Sequence, residues 1–263
     1  MKDKERLDKL LPELGLTETR TKAQALIMAG NVRVNGQVVT KSGAMFPRNA
    51  AVTVEGVQQW AGRGAQKLLR AFEAFPVDVN GRVCADFGAS TGGFTDVLLS
   101  KGAGRVYAID VGYGQLLWRL ASDPRVTVMD RTNARYLTRE DFPERVEFAS
   151  CDVSFISLRL ILPVIDECVQ NDAVVLIKPQ FEAGRERISK GVVRDKSIHA
   201  EVLEDMTKFI HEHTKFTIAG LTYSPIRGPE GNIEFLCYLT HDDSPVKYNI
   251  NDIVDEAHEN LGR

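Results

Sequence analysis

The sequence predicts an α/β protein: a mostly parallel sheet covered by helices on both faces, closed by an antiparallel edge, and preceded by a small α+β unit. Two observations carry that class. From Val83 onward, short apolar runs alternate with helical stretches, the pattern of strands buried on both faces. Ahead of them, residues 1–55 hold helices of their own, an Asn-Gly turn between β-prone triplets and a different charge balance.

The small unit reads in order. Leu7, Leu10, Leu11 and Leu14 recur at i, i+3, i+4 and i+7, one face of a short helix that Gly15 ends. A second helix is expected over 19–29, with Ala23, Leu26 and Ile27 inward and Gly30 as its stop. Val32-Arg33-Val34 and Gln37-Val38-Val39 flank Asn35-Gly36, a strong hairpin signal, and Val52-Thr53-Val54 adds a strand. Residues 1–55 are assigned to one domain, 56–64 with Gly56, Gly62 and Gly64 to a linker, and 65–263 to the main domain.

The main domain opens on a helix at 65–75 that turns Leu68, Leu69, Phe72 and Phe75 to one side. Strands are expected at 83–87, 105–109, 126–129, 146–151 and 173–177, with helices near 93–101, 115–121 and 157–169. Residues 216–223 and 233–239, parted by the Pro/Gly-rich turn 225–231, read as an antiparallel edge pair. An acidic helix from Ile250 follows from the spacing of Ile253, Val254, Ala257 and Leu261.

The totals narrow the function classes. A length of 263 residues accommodates two domains, and 43% hydrophobic with 26% charged residues is the composition of an ordinary soluble protein. The net charge of −3 conceals an asymmetry. Residues 1–75 hold 12 Lys/Arg against 7 Asp/Glu, whereas the remainder hold 21 against 29, a basic module on an acidic body. Cys84, Cys151, Cys168 and Cys237 lie far apart in apolar runs and read as buried small hydrophobes. His199, His211 and His213 show no ligand-like grouping and read as surface residues, so no metal site is expected. Residues 1–5 lack the apolar core of a signal peptide, and no apolar run reaches the ~18 residues that span a bilayer. The expectation is a cytoplasmic protein without stable membrane insertion.

One stretch carries the chemistry of a cofactor site. The strand ending in Asp86-Phe87 runs into Gly88-Ala89-Ser90-Thr91-Gly92-Gly93-Phe94, a strand, a glycine-rich bend and a helix. The next strand ends in Asp110-Val111, close to the ~20-residue step that leads to a ribose-binding acid. The spacing departs from the G-x-G-x-x-G of a dinucleotide loop, which speaks against a nicotinamide cofactor. S-adenosylmethionine has no phosphate and needs no anion nest, and Asp86 beside the loop suits its cationic end. Asp130 closes the third strand, where an adenine is expected.

The other strand ends supply reactive side chains. In an α/β sheet, ligands sit beyond the carboxyl ends of the strands. There the sequence places Asp152-Val153-Ser154-Phe155, Lys178-Pro179-Gln180 and, within the edge pair, Asn232-Ile233-Glu234. Burial lowers a lysine's pKa and a neighbouring carboxylate raises it again, so Lys178 with Asp152 is a candidate proton-transfer site. Val153-Ser154 stands where base-nitrogen methyltransferases have two prolines, which leaves Phe155 to the core.

Two resemblances follow from these motifs. Arg6-Leu7-Asp8, Thr19-Arg20, Ala23, Ile27, Gly30, Asn35-Gly36 and Val39 resemble the alpha-L RNA-binding motif of ribosomal protein S-four. That likeness implies an RNA face lined by Arg6, Arg20, Lys22 and Lys41, whose phosphate contacts position RNA without reading its sequence. The run from Ser90-Thr91-Gly92-Gly93-Phe94-Thr95 through Asp110-Val111-Gly112-Tyr113-Gly114, Asp152–Leu158, Lys178–Gly184 and Gly231–Leu236 is similar to the TlyA family. Its members are often labelled hemolysins and act as ribosomal RNA 2′-O-methyltransferases, and the catalytic half resembles a Rossmann-like, FtsJ-type class I methyltransferase.

The resemblance implies S-adenosylmethionine as cofactor, a cytidine ribose as target, and ribosomal RNA or ribosomal subunits, not DNA, as partner. It also implies a Lys-Asp-Lys-Glu tetrad at Lys67, Asp152, Lys178 and Glu234. Lys178 is then the base toward the ribose hydroxyl, Lys67 orients it, and the two acids fix the lysines. One departure is visible: Arg63-Gly64-Ala65 stands where the family usually has Arg-Gly-Gly. A membrane-lytic protein, as the label suggests, and an RNA-binding protein with an inactive methyltransferase fold are the alternatives.

Overall fold

Buried apolar side chains gather into separate cores, one in an N-terminal unit and two on opposite faces of a large sheet. The computed structural model describes residues 4–14, 16–17, 19–55, 60–188, 191–243 and 245–262. Gly15, expected to end the first helix, and positions 56–59 of the expected linker lie outside the described residues. The chain divides into two compact units, residues 1–59 and 60–263.

In the first unit, α1 (Leu7–Glu13) and α2 (Arg20–Met28) bury Leu7, Leu11, Ala23 and Ile27 against Val32 and Val34. Thr19 caps α2 by accepting from the Lys22 backbone N–H at 3.2 Å. Strand β2 (Val32–Val34) pairs antiparallel with β3 (Gln37–Val38) and, on its other side, with β5 (Val52–Val54). A second pair joins β1 (Lys4–Arg6) to β4 (Met45–Pro47), which the sequence pattern did not announce.

The second unit is the expected α/β sheet. Helix α3 (Ala65–Ala74) precedes β6 (Val83–Phe87), α4 (Gly93–Ser100), β7 (Arg105–Ile109), α5 (Trp118–Ala121), β8 (Val126–Met129) and β9 (Val146–Cys151). Then come α6 (Leu162–Cys168), β10 (Val169–Ile177), α7 (Pro179–Glu182), α8 (Lys196–His213), β11 (Thr217–Tyr223), β12 (Phe235–Thr240) and α9 (Ile250–Leu261). The sheet order is β11-β12-β10-β9-β6-β7-β8. Every pair from β10 to β8 is parallel, and β12 runs antiparallel to both β10 and β11. All four cysteines are buried, as their apolar surroundings implied.

Three elements differ from the sequence reading. The helix expected near 115–121 is confined to α5, because Gly112 and Gly114 donate their N–H groups to Asp110 and Asp130 and hold the preceding residues as a loop. The helix expected over 157–169 is a short 3-10 turn followed by α6, with Pro163 in its first turn, and β10 begins at Val169. Helix α8 was not expected at all. Asp195 caps it through the Ser197 N–H at 2.9 Å, and His199, Val202, Leu203, Met206 and Ile210 form its buried stripe.

That stripe corrects the placement of His199, which is fully buried rather than on the surface. Its Nδ1 lies 2.8 Å from Nε2 of His258 on α9, so the pair joins two helices over the same sheet face. Burial first, and the neighbouring His258 second, push the His199 pKa down to about 4. The folded protein therefore resists a proton that the unfolded chain accepts from about pH 6.5 downward. Stability from this group is complete above pH 6.5 and is lost as the pH falls toward 4. In urea unfolding, the advantage of the wild type over His199→Gln is expected to shrink by ~2 kcal/mol between pH 7.5 and pH 5. An unchanged difference would show that the imidazole takes up its proton normally in the fold.

Candidate active site

Side chains alternate across a strand, and one parity of this sheet assembles the site. Cys84, Phe148, Val174, Leu176, Leu236 and Tyr238 all point to the face that α3 covers with Ala65, Leu68 and Ala71. Continuing the same parity to the carboxyl edge reaches Asp86 on β6, Asp152 just past β9 and Lys178 just past β10. Strand β12 runs the other way, and its pairing of Phe235 with Ile177, continued by one residue, sets Glu234 beside Lys178. Lys67 sits one residue before Leu68 on α3, at the end of that helix nearest this edge.

The four charged groups interlock. Lys67 Nζ lies 3.1 Å from Asp152 Oδ2 and 2.7 Å from Glu234 Oε2. Lys178 Nζ lies 2.5 Å from Asp152 Oδ1 and donates to the Ser154 hydroxyl at 2.9 Å. Lys67, Lys178 and Glu234 are buried and Asp152 nearly so. Burial works to lower the Lys67 pKa, but the charges of Asp152 and Glu234 outweigh it and hold the group above its ordinary value. The turn after β11 closes over Glu234, and a Cβ at Gly228 would come within 2.5 Å of Glu234 Oε1.

A cavity of about 230 Å³ opens on this row. Lys67, Asp152 and Lys178 form its floor, and Gly88, Ala89, Ser90, Thr91, Gly93 and Phe94 of the glycine loop form one wall. Gly88 adopts φ +86°, and a Cβ there would lie 2.8 Å from the Asp152 carbonyl oxygen, so loop and charged row touch through bare backbone. Sequence reasoning missed Arg63, Ser154 and Arg227, which also line the cavity. Ser154 had a signal, its two-residue spacing from Asp152.

The other residues expected at the cofactor stand as follows. Asp110 accepts from the N–H groups of Ser90 at 2.8 Å and Gly112 at 2.7 Å, and Asp130 from that of Gly114 at 2.9 Å. A carboxylate offers about four acceptor positions, so both keep capacity for a ligand. Val111 is exposed beside them, and Gly92 is buried at the start of α4. Asp86 is wholly enclosed, accepting from Thr95 Oγ1 at 2.7 Å and Ser150 Oγ at 3.0 Å, and burial pushes its pKa up to about 6. It braces the loop from beneath. Phe155 is 93% exposed, not part of the core: a left-handed backbone (φ +63°) turns it outward, 5.6 Å from the Phe181 ring.

Known proteins share this architecture. Residues 60–241 match the FtsJ-like methyltransferase family, and residues 5–52 match the S4 domain. The chain belongs to the FtsJ-like methyltransferase family. YqxC of Bacillus subtilis, which carries a provisional rRNA-methyltransferase name, is 48% identical over 98% of this chain and 95% of its own length. The 16S/23S rRNA (cytidine-2′-O)-methyltransferase TlyA of Mycobacterium tuberculosis is 44% identical, covering 89% of each chain. Among solved structures, a Streptococcus thermophilus protein given the name hemolysin superposes with a TM-score of 0.75 at 44% identity, over 100% of this chain and 98% of its own.

In the S4 unit of this FtsJ-like methyltransferase, Arg6 and Arg20 converge on one buried carboxylate. Asp8 accepts from Arg6 Nε at 3.0 Å, Arg20 Nε at 3.1 Å and Gln24 Nε2 at 2.8 Å. The Arg6 hydrogen bond, the largest influence, keeps the Asp8 pKa well below the usual carboxylate range. Lys22 and Lys41 lie exposed on the same unit.

Gly88→Ala tests the junction of loop and row. The added methyl combines a left-handed φ with a backbone clash, a strain of ~1–3 kcal/mol. Urea unfolding is expected to show a stability loss of that size, and an unchanged midpoint would show that loop and row do not press on each other there.

Proposed function

We propose that this FtsJ-like enzyme uses S-adenosylmethionine to methylate a ribose 2′-hydroxyl in ribosomal RNA, with cytidine as the target nucleoside. The observation that carries the reading is the buried row Lys67, Asp152, Lys178 and Glu234 beneath a glycine loop, in a chain closely related to a named rRNA (cytidine-2′-O)-methyltransferase. The membrane-lytic alternative rests on a name alone.

The residues fit the cofactor. Asp110 would receive the ribose hydroxyls, Asp130 the adenine edge, and the bare backbone from Gly88 to Thr91 the methionine portion. When bound, S-adenosylmethionine supplies an electrophilic methyl carbon on a sulfonium leaving group. The protein's own part is to orient the hydroxyl, exclude water and take one proton.

Lys67 and Lys178 reach the cavity, and their partners divide the work between them. Lys67 has two carboxylate partners that hold it protonated, so it donates to the hydroxyl oxygen and steadies the negative charge that develops there. Lys178 has one carboxylate and one neutral hydroxyl, and it takes the base role. As the oxygen–methyl bond forms and the sulfur–methyl bond breaks, the hydroxyl proton passes to Lys178 Nζ. Asp152 touches both lysines and fixes their separation. In the S4 unit, the pair Arg6 and Arg20, with Lys22 and Lys41, would hold RNA phosphates.

Lys178→Ala separates chemistry from binding. Methyl transfer from labelled S-adenosylmethionine to unmodified 16S and 23S rRNA is expected to fall 10²–10⁴-fold in kcat, the usual contribution of a general base. S-adenosylhomocysteine affinity stays within about threefold, and mapping the labelled ribose identifies the nucleotide. Near wild-type kcat in this variant would remove Lys178 as the base, and label on a base atom would remove the 2′-O assignment.

A further inference from the structure

We propose that Ser154 is a positioning residue that aims the lone pair of Lys178 into the cavity. The proposal rests on the reading of Lys178 as the base and adds what directs it. The strands set the encounter: β9 and β10 run parallel with Cys151 opposite Val175, and three residues further along both chains Ser154 meets Lys178. Asp152 and Ser154, two residues apart, both contact the same Nζ, at 2.5 Å and 2.9 Å. Immediately after Ser154, the left-handed Phe155 turns the chain away, so the serine hydroxyl stays on the cavity side while the Phe155 ring faces outward.

The valence of an amine gives this contact its consequence. Nζ has three tetrahedral directions besides its bond to Cε. A neutral lysine fills two with N–H and one with the lone pair that accepts a proton. With Asp152 alone, the second N–H and the lone pair can exchange places by rotation about the Cε–Nζ bond. Ser154 removes that ambiguity. The Asp152 carboxylate then occupies one side of Nζ as an ion pair and Ser154 accepts one N–H, and the lone pair takes the remaining direction, toward the cavity that Lys178, Asp152, Lys67 and Ser154 line together. Lys178 itself is only 6% exposed, so few other acceptors reach its Nζ.

The choice of a hydroxyl also has an electrostatic reason. A second carboxylate on Lys178 would favour its charged form, as two carboxylates do for Lys67. A serine oxygen orients the amine without adding a charge. The two lysines therefore differ in the kind of partner each has, which is what separates an orienting cation from a proton acceptor.

The test uses the full chain, S-adenosylmethionine and unmodified rRNA transcripts, with Lys178→Ala measured in parallel. Ser154→Ala is expected to lower kcat ~10- to 100-fold, a loss in the range of misaligned catalytic groups. KM for RNA and S-adenosylhomocysteine affinity stay within about twofold. Ser154→Thr keeps the hydroxyl and restores kcat to within about threefold of wild type. Ser154→Asp adds a charge among Asp152, Lys67 and Glu234 and moves the rising limb of the kcat–pH profile to higher pH. Packing alone would produce neither the hydroxyl rescue nor the displaced profile. Wild-type kcat in Ser154→Ala beside an inactive Lys178→Ala overturns the positioning role and leaves the base standing. An active Lys178→Ala overturns both.

Discussion

Two lysines and two carboxylates share one buried edge of the sheet, and bringing them together is the condition that the rest of the unit has to meet. An isolated charge placed there would cost several kcal/mol in lost hydration, and removing one partner of such a set leaves another uncompensated. The set balances only if four separate elements arrive together. Helix α3 must lie on the even-numbered face, β9 must neighbour β10, and β12 must pair antiparallel with β10 in the observed register. A slip of one residue in any strand would turn its charged side chain to the opposite face and strand its partners.

Asp152 is the pivot of this arrangement. Its two oxygens go to different lysines, while its backbone carbonyl lies against Gly88 and its backbone N–H bonds to the Phe87 carbonyl at 2.9 Å. The glycine loop and the charged row thus meet at one residue. Asp86 works from below as the loop's brace, tied to the sheet through Ser150 and to α4 through Thr95. A bare-backbone wall and a pair of lysines bridged by one carboxylate suit the proposed chemistry, in which the protein mainly positions its reactants.

Much of this was legible in the chain itself, for definite reasons. The alternation of strands and helices marks the sheet, and the acids and lysine that end apolar runs mark its reactive edge, because a charge following four buried residues needs an explanation. Other features were legible but obscured. The stripe His199, Val202, Leu203, Met206 and Ile210 has helical spacing, yet a histidine at its head reads as polar until its pairing with His258 is known. Still others depend on geometry that no single segment encodes. The outward turn of Phe155 needs a left-handed φ on a residue that seldom adopts one, and the meeting of Lys67 with Glu234 needs the cross-strand register that brings Glu234 to this edge. Asp86 belongs with these, since a carboxylate before a glycine loop reads as facing the ligand until Thr95 and Ser150 are seen to enclose it.

The place of Glu234 in chain order has a consequence for synthesis. Lys67, Asp152 and Lys178 emerge from the ribosome well before it, and β12, which follows Glu234, is the strand that covers the outer edge of β10. A nascent chain that has completed β10 therefore carries an open hydrogen-bonding edge beside a lysine still lacking its second counter-charge, the kind of exposed strand that invites wrong pairing. Closure of that edge and completion of the charge set occur in one event, when the last hairpin docks. The charge set is therefore complete only when β12 has paired with β10.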